Sequence, residues 1–338
     1  MTQVPDPPPE PAAGLDPVDR LLIDEMPPAP GRLLVLDAPE LANALAAEHP
    51  VVGWCDSLLA EQRLRVPVVD PATATVDTVL MRTPKAVGAL GEYAEWVARD
   101  DIALLAGGRV KYLTHSMNDA LAARFGSVRA SLGRQKSRVL HARQPRPGTP
   151  TWPRRATVDL PPALGGPLVL SAHGGTFAGT RIDPGTRVLV DLLDRLPAAT
   201  PALDLGSGNG TLSALLARRG HPVTALDESW AATAATRETL AANGLTGTVR
   251  RADGLTGLPT GSVPLIVCNP PFHVGTAKDS GPAYAMIEQA ARVLEPGGEL
   301  WLVFNAHLPY LPTLRRRIGP TEIVSRHPKY LVTRSVRG

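Results

Sequence analysis

A glycine-rich loop in the second half of the chain has a composition suited to ligand binding. The segment reads LDLGSGNG over 203–210, with an apolar strand predicted before it and a helix after it. Glycine adopts positive φ angles and lets the backbone approach a ligand closely. The spacing G-x-G-x-G is neither the dinucleotide pattern nor the phosphate-binding P-loop pattern. Because Asp204 adds a carboxylate, we expect a cationic ligand without phosphate groups, such as S-adenosylmethionine (SAM). The residues assigned to it are Asp204, Gly206, Ser207, Gly208, Asn209 and Gly210.

Acidic residues at two later strand ends extend this predicted cofactor site. Asp227 ends the next strand, 23 residues after Asp204, where a carboxylate can accept hydrogen bonds from both ribose hydroxyls. Glu228 adjoins it and is assigned with it. Asp253 and Gly254 end the third strand and are placed to meet the adenine edge. Three strand-end acids in register with the loop make a plain strand–helix connection the weaker interpretation.

A second motif, Asn269-Pro270-Pro271-Phe272, ends the fourth predicted strand beside the same crevice. Its prolines stiffen the turn and remove two backbone donors, which leaves carbonyl acceptors exposed. The Asn269 side-chain oxygen and the Pro270 carbonyl can accept both N–H bonds of a planar amino group. That arrangement turns the nitrogen toward the methyl group of SAM, and Phe272 offers a face on which a base can stack. We therefore predict methyl transfer to an amino nitrogen, with Asn269 also bordering the cofactor.

These motifs lie on an alternation of short apolar strands and helical stretches. In the second half, strands are predicted at 201–206, 222–227, 248–253, 263–269 and 299–304, with a helix near 284–294. Such alternation predicts a parallel, doubly wound sheet. A helix over 310–318 and two strands over 321–326 and 330–335 then predict an antiparallel closing pair.

The first half repeats this plan in weaker form. Strands are predicted at 33–36, 51–54, 76–81, 102–106, 128–132 and 138–141. No glycine loop follows the first of these strands, and RTPK at 82–85 stands where the second half has its Asn-Pro-Pro-Phe turn. The predicted fold is therefore α/β, with two tandem Rossmann-like domains. The second holds a seven-stranded mixed sheet and the first is a degenerate copy, the alternative being two unrelated α/β domains.

With both motifs in place, the chain resembles class I SAM-dependent methyltransferases that act on exocyclic or amide nitrogens. Segments 177–193, 304–319, 81–85 and 103–125 make it similar to the bacterial ribosomal RNA guanine-N2 methyltransferases, the small-subunit methyltransferase C and large-subunit methyltransferase G group. The resemblance covers about residues 17–338. It implies two methyltransferase-like domains of which only the second binds SAM, and a guanine N2 of 16S or 23S rRNA as target. Ser207 departs from the family, which often has cysteine there.

Charge is distributed unevenly along a chain whose formal net charge is only +3. Residues 1–101 carry a net −10, residues 102–160 +9, residues 161–314 −2 and residues 315–338 +6. Clustered basic side chains attract RNA phosphates. The residues assigned to RNA contact are Arg134, Lys136, Arg138, Arg143, Arg154 and Arg155. A solvated, arginine-rich surface is the alternative.

Composition excludes several classes of protein. Apolar residues at 43% and charged residues at 20% exclude wholesale disorder. Cys55 and Cys268 lie too far apart for a disulfide framework or zinc knuckle, and no apolar run is long enough to span a bilayer. We expect a cytoplasmic monomer without a metal. A disordered leader is predicted over 1–16, an RNA-recruiting domain over 17–155 and a catalytic domain over 156–338.

Two other functions fit parts of this pattern. An amide nitrogen suits the same turn, so the chain could methylate a protein glutamine at N5 in a release factor, although NPPY is more usual there. A catalytically inactive RNA-binding module is the other alternative, and the intact motifs argue against it. Adenine and cytosine amino groups also remain open, because the turn recognises an amino group rather than a whole base.

Overall fold

The computed structural model describes residues 14–99, 101–270 and 281–338. The chain divides into two compact units between Pro150 and Thr151. The sequence pattern places this division five residues later, after 155. Arg154 and Arg155 belong to the second unit because their strand pairs with another strand of that unit. Residues 1–13 of the predicted leader lie outside the described residues, whereas Asp16 caps the first helix by accepting the backbone N–H groups of Val18 and Asp19.

The first unit is built on one mixed sheet. Its strands are β1 (Leu33–Leu36), β2 (Val51–Trp54), β3 (Thr78–Arg82), β4 (Ala103–Arg109), β5 (Phe125–Ala130) and β6 (Ser137–Pro145). Its helices are α1 (Pro17–Asp24), α2 (Pro39–Leu45), α3 (Leu58–Glu61), α4 (Val87–Val97) and α5 (His115–Ala122). The strand order is β2-β1-β3-β4-β6-β5, with β1 to β4 parallel and β6 antiparallel to both neighbours.

The second unit carries the predicted seven-stranded mixed sheet, which is confirmed. Its strands are β7 (Arg154–Val158), β8 (Leu168–Ala172), β9 (Ala202–Leu205), β10 (Val223–Asp227), β11 (Thr248–Arg251), β12 (Val263–Cys268), β13 (Leu294–Asn305), β14 (Thr321–Arg326) and β15 (Tyr330–Val336). Its helices are α6 (Pro184–Val190), α7 (Thr211–Arg218), α8 (Trp230–Ala242), α9 (Gly281–Val293) and α10 (Leu311–Arg317). The order is β11-β10-β9-β12-β13-β15-β14, and β7 pairs only with β8.

The two sheets share one strand order, as the weak repeat in the sequence predicts. The first sheet matches the second once β11 is removed, and both end in an antiparallel pair. A single parallel bridge between Gly53 and Val68 lies where the second unit has β11. The first unit is therefore a copy of the same plan with one edge strand reduced to a bridge.

Both faces of the second sheet are buried, which explains why its strands read as continuous apolar runs. Along β12, Leu265 and Val267 join one apolar cluster, and Ile266 and Cys268 join the cluster on the opposite face. Alternation of this kind follows from the two-residue period of a strand. Helices cover both faces, so only the strand ends and their loops are free to bind a ligand.

Candidate functional site

Three loops of the second unit begin at neighbouring strand ends. Strand β9 lies between β10 and β12, and Leu205 pairs in register with Leu226 on one side and Cys268 on the other. All three strands are parallel, so their carboxyl ends meet at one edge of the sheet. The glycine loop follows β9, Asn269 follows β12 and Asp227 is the last residue of β10, so all three lie at the usual position of a ligand crevice.

The glycine loop turns tightly after β9. Gly206, Gly208 and Gly210 have φ angles of 77°, 54° and 77°, a region that side-chain-bearing residues rarely adopt. A β-carbon on Gly208 would meet no heavy atom of the described residues within 4 Å, whereas one on Gly210 would lie 2.9 Å from the Thr236 α-carbon. Open space at Gly208 is therefore available to a ligand, and Gly210 permits close packing on α8.

The polar side chains of the loop are used within the protein. The Thr236 hydroxyl donates to Ser207 Oγ at 2.9 Å. The Asn209 side-chain amide donates to the carbonyl oxygens of Gly179 and Arg181, each at 2.8 Å. Both Ser207 and Asn209 are buried. Their side chains fix the loop, which leaves the loop backbone as the surface that a ligand can meet.

Asp204 is completely buried beneath the loop. The Ser213 hydroxyl donates to its Oδ2 at 2.5 Å, and its Oδ1 has no hydrogen-bond partner in the described part of the chain. Burial raises the pKa of Asp204 to about 7, the Ser213 hydrogen bond opposes that rise, and the negative charge of Asp227 adds to it. A buried, unpartnered carboxylate oxygen is costly unless a donor or cation pairs with it. This feature fits a cationic ligand at the loop.

The other acidic residues lie at the same edge, at different depths. Asp227 is half-buried, and its two oxygens accept the backbone N–H groups of Gly208 and Ser229, each at 3.0 Å. Asp253 is exposed and follows β11 by two residues, because that strand ends at Arg251 rather than at Asp253. The Glu228 carbonyl accepts from Arg251 at 3.2 Å. The predicted carboxylates thus lie at neighbouring strand ends, and Asp253 is the exposed one among them.

Gly254 follows Asp253 on the third loop. It adopts a positive φ, and a β-carbon there would collide with the side-chain oxygen of Gln289 on α9. That oxygen accepts the Leu255 backbone N–H at 2.8 Å, so the loop is tied to the helix.

Asn269 is held in a single orientation by α6. Its side-chain nitrogen donates to Asp183 Oδ2 at 3.1 Å and to Thr186 Oγ1 at 2.8 Å. Both hydrogens of the amide are therefore taken by acceptors of the protein. The Asn269 Oδ1 atom is buried, and no described residue is hydrogen-bonded to it. The site consequently presents an acceptor for an N–H group. Pro270 is buried, while Pro271 and Phe272 lie outside the described residues.

Sequence reasoning missed Asp183 and Thr186. Asp183 caps α6 by accepting the N–H groups of Gly185 and Thr186, and the same oxygen accepts from Asn269. The capping pattern Asp-Pro-Gly-Thr is visible at 183–186. Its relation to a residue more than 80 positions away is not, because only the fold brings α6 against the end of β12.

The six basic residues assigned to RNA lie on two different units. Arg134, Lys136, Arg138 and Arg143 lie along the β5–β6 hairpin of the first unit, and Arg154 and Arg155 lie on β7 of the second. Arg134 pairs with Asp24 at 3.3 Å, and the Arg154 guanidinium lies 4.2 Å from the Trp152 ring centroid. Because the six residues are divided between the two units, neither unit alone carries all of them.

The residues with described positions provide neither a metal site nor a membrane-spanning helix. No group of three or more histidine, cysteine or carboxylate residues there could hold a metal ion. None of the helices in that part of the chain has the length and apolar character of a membrane span.

The fold and the site define a class of protein. A doubly wound sheet closed by an antiparallel pair, a G-x-G-x-G loop after β9, a carboxylate after β10 and Asn-Pro after β12 are the features of a Rossmann-like, class I methyltransferase. Two family models match the chain: the "Methyltransferase small domain" over residues 167–334 and the "RLMG N-terminal domain" over residues 56–146.

Comparison with known proteins gives the family. Ribosomal RNA large subunit methyltransferase G of Stutzerimonas stutzeri (strain A1501) is 34% identical, with 100% of this chain and 96% of that protein covered. The Streptomyces avermitilis protein of the same name is 32% identical over 88% of this chain and 84% of its own length. The chain belongs to the ribosomal RNA large subunit methyltransferase G family, which confirms the resemblance seen in the sequence.

A solved structure agrees with the fold over both units. The T. thermophilus 16S rRNA N2 G1207 methyltransferase, in complex with AdoMet and guanosine, matches with a TM-score of 0.81 and 26% identity. The match covers 96% of this chain and 92% of that chain. The predicted plan of two tandem methyltransferase-like domains is therefore confirmed.

Proposed function

We propose that the second unit transfers a methyl group from SAM to the exocyclic N2 amino group of a guanine in large-subunit ribosomal RNA. The observation that carries this proposal is the buried, unpartnered Oδ1 of Asn269, whose amide nitrogen is bound to Asp183 and Thr186. An oxygen acceptor fixed in this way can bind an amino group, which donates N–H bonds. It cannot bind an unprotonated ring nitrogen or a carbonyl oxygen of the substrate, because these are acceptors themselves. The large-subunit target is supported by the names of the relatives. The T. thermophilus neighbour, solved with AdoMet and guanosine, supports the cofactor and the base.

The residues present fit SAM. Open space at Gly208 provides a backbone cradle, and the Asp204 carboxyl beneath the loop, once ionised, provides a negative charge that attracts a cationic ligand. We assign Asp227 to the ribose hydroxyls and the exposed Asp253 to the adenine. When bound, SAM supplies an electrophilic methyl group on a positively charged sulfur.

The chain's own residues orient the acceptor nitrogen. One N–H of the guanine amino group donates to Asn269 Oδ1 and the other to the Pro270 carbonyl. These two hydrogen bonds draw the lone pair out of conjugation with the base and aim it toward the glycine loop. The nitrogen becomes acidic once methylated, so its extra proton passes to water without a strong general base. A base in a duplex must leave its stack before it can reach this position.

Methyl transfer to RNA tests the proposal directly. Purified protein with labelled SAM should methylate unmodified 23S rRNA, and mass spectrometry of the digested RNA should place the label on N2 of guanine. Asn269→Ala should lose transfer by at least about a hundredfold, a size typical for losing one oriented polar group at a reaction centre.

Three outcomes would contradict the proposal. Transfer to a release-factor glutamine without transfer to RNA would favour the protein substrate. Label on adenine, on cytosine or on 16S rRNA alone would correct the target. Absence of SAM binding by calorimetry would favour an inactive RNA-binding module.

A further inference from the structure

Three loops of the first unit form one surface at the carboxyl ends of β3 and β4. They are residues 83–85, 109–113 and 131–137, which we call the first-unit patch. The Thr83 N–H donates to the Gly107 carbonyl at 2.8 Å, and the Val110 N–H donates to the Lys136 carbonyl at 2.9 Å. The Arg109 guanidinium donates to the Gln135 carbonyl at 3.0 Å. The patch occupies the sheet edge that corresponds to the catalytic edge of the second unit.

Exposed apolar side chains are concentrated in this patch. Among the residues with described positions, six large hydrophobic side chains are exposed, and three of them are Val110, Tyr112 and Leu132, at 43%, 54% and 82%. Scattered exposed apolar residues are ordinary, but a local concentration marks an interaction surface. The patch is therefore a candidate for binding a partner.

The charge of the patch identifies the chemistry of that partner. Its three segments contain Lys85, Arg109, Lys111, Arg134 and Lys136 and no acidic residue. Lys111 Nζ lies 4.6 Å from the centre of the Tyr112 ring. The hydrogen bond and the charge of Lys111, followed by the charge of Lys85, lower the pKa of the Tyr112 hydroxyl. Asp24 on α1 pairs with Arg134 at 3.3 Å, whereas the Lys85, Lys111 and Lys136 side chains are exposed to a polyanion.

The turn between β5 and β6, which carries Lys136, has an uncommon backbone conformation. Gln135 and Lys136 have φ angles of 47° and 59°, the pattern of a two-residue type I′ turn. Asparagine and glycine are the residues favoured there, and other residues carry strain. Lys136 nevertheless occupies this strained position, and its side chain is exposed to solvent.

We propose that the first-unit patch binds a single-stranded segment of the substrate RNA, with one base stacked on Tyr112 and phosphates contacted by Lys85, Lys111 and Lys136. The proposal rests on the proposed function, since it takes ribosomal RNA as the partner. An aromatic face surrounded by cations is the arrangement by which proteins bind single strands without reading their sequence. The RTPK turn at 82–85 has no asparagine acceptor, so the patch binds RNA without modifying it.

Fluorescence anisotropy with a labelled single-stranded RNA of about 12 nucleotides measures this binding. Tyr112→Ala should weaken binding about tenfold, the size expected for loss of one stacked base, and Tyr112→Phe should bind as the unchanged protein does. Lys85→Ala combined with Lys111→Ala should reduce the slope of log affinity against log salt by about 2. Arg65→Ala is the matched control, because Arg65 is an exposed cation beyond β2, at the opposite edge of the sheet, and should change neither quantity.

The outcomes separate this inference from the proposed function. Asn269→Ala should lose methyl transfer and keep RNA binding. If the unchanged protein transfers methyl groups but the Tyr112→Ala and lysine variants bind RNA normally, the patch does not bind RNA. The proposed function is then unaffected. Normal RNA binding by these variants with reduced transfer to assembled ribosomal subunits would instead assign the patch to a ribosomal protein. Loss of transfer and of RNA binding in the unchanged protein would overturn both.

Discussion

Asp37 in the first unit has the same left-handed backbone conformation as Gly206 in the second, with φ angles of 54° and 77°. Each residue directly follows the corresponding strand, β1 or β9. Each donates its N–H to a carbonyl on the next strand, Trp54 at 3.0 Å and Leu226 at 2.8 Å. The turn that opens a cofactor loop has thus been kept in the first unit by a residue that rarely adopts this conformation.

The side chains around this turn differ between the units. Asp37 Oδ1 accepts the Asp56 N–H at 2.8 Å, and Asp37 Oδ2 accepts the Tyr93 hydroxyl at 3.0 Å. Strand register places the buried Cys55 where the second unit has Asp227. The first unit therefore has hydrogen-bonded side chains at the turn, and a thiol in place of the carboxylate that we assign to the ribose.

Calorimetry should find one SAM site in each chain. Asp227→Asn should weaken SAM binding by about ten- to a hundredfold, because an amide replaces a charged acceptor of the ribose hydroxyls. Asp37→Asn is the matched control in the first unit and should leave SAM affinity unchanged. Two sites in each chain, or equal effects of the two variants, would show that the first unit binds SAM as well.

Asp183 and Thr186 should act on the reaction through Asn269. Thr186→Val keeps the shape of the side chain but removes an acceptor of the Asn269 amide, so we expect kcat to fall about tenfold with little change in SAM affinity. Thr186→Ser should restore most of kcat. Asp183→Ala should lower kcat too, and loss of the cap on α6 should cost about 1 kcal/mol of folding stability. A change in stability with normal kcat would reduce both residues to a structural role.

Gly208 and Gly210 should respond differently to alanine. Gly210→Ala places a β-carbon 2.9 Å from the Thr236 α-carbon, so we expect a clear fall in melting temperature. Gly208→Ala meets no protein atom within 4 Å and should fold, at a smaller cost from its positive φ. The added methyl group should instead weaken SAM binding. Thermal denaturation and calorimetry on the two variants distinguish these effects, and equal SAM affinity in Gly208→Ala and the unchanged protein would argue against a ligand at this loop.

Asp204 should make folding stability depend on pH. Burial raises its folded pKa to about 7, above the ordinary value of 3.8, so the folded state retains a proton that the unfolded state has lost. Stability from this group is full below about pH 4 and is lost as the pH rises to about 7, by up to about 4 kcal/mol. Urea denaturation between pH 4 and 8 should show a flatter profile for Asp204→Asn. Profiles of the same shape would mean that Asp204 keeps an ordinary pKa.

The sequence predicts the sheet and the loops of the site well, because both depend on local patterns. The strand–helix alternation, the glycine loop and the Asn-Pro turn all lie on contiguous segments. Contacts between distant segments cannot be predicted from such local patterns. Asp183 and Thr186 read as an ordinary helix cap, and the hydrogen bonds from Asn209 to residues 179 and 181 span about 30 positions. Strand ends were less accurate too: β11 stops before Asp253 and β13 begins at Leu294, where its first pairing with Val263 is irregular.

The run from Gly179 to Thr186 contacts both halves of the site. Asn209 of the glycine loop binds its first part through the carbonyls of Gly179 and Arg181, and Asn269 binds its last part through Asp183 and Thr186. The length of this run thus sets the distance between the glycine loop, where we place the methyl donor, and Asn269, which orients the nitrogen that receives the methyl group. Inserting one residue into the run would alter that spacing, although every residue that makes one of these contacts would still be present. Natural relatives should therefore vary the residues of this run more freely than their number.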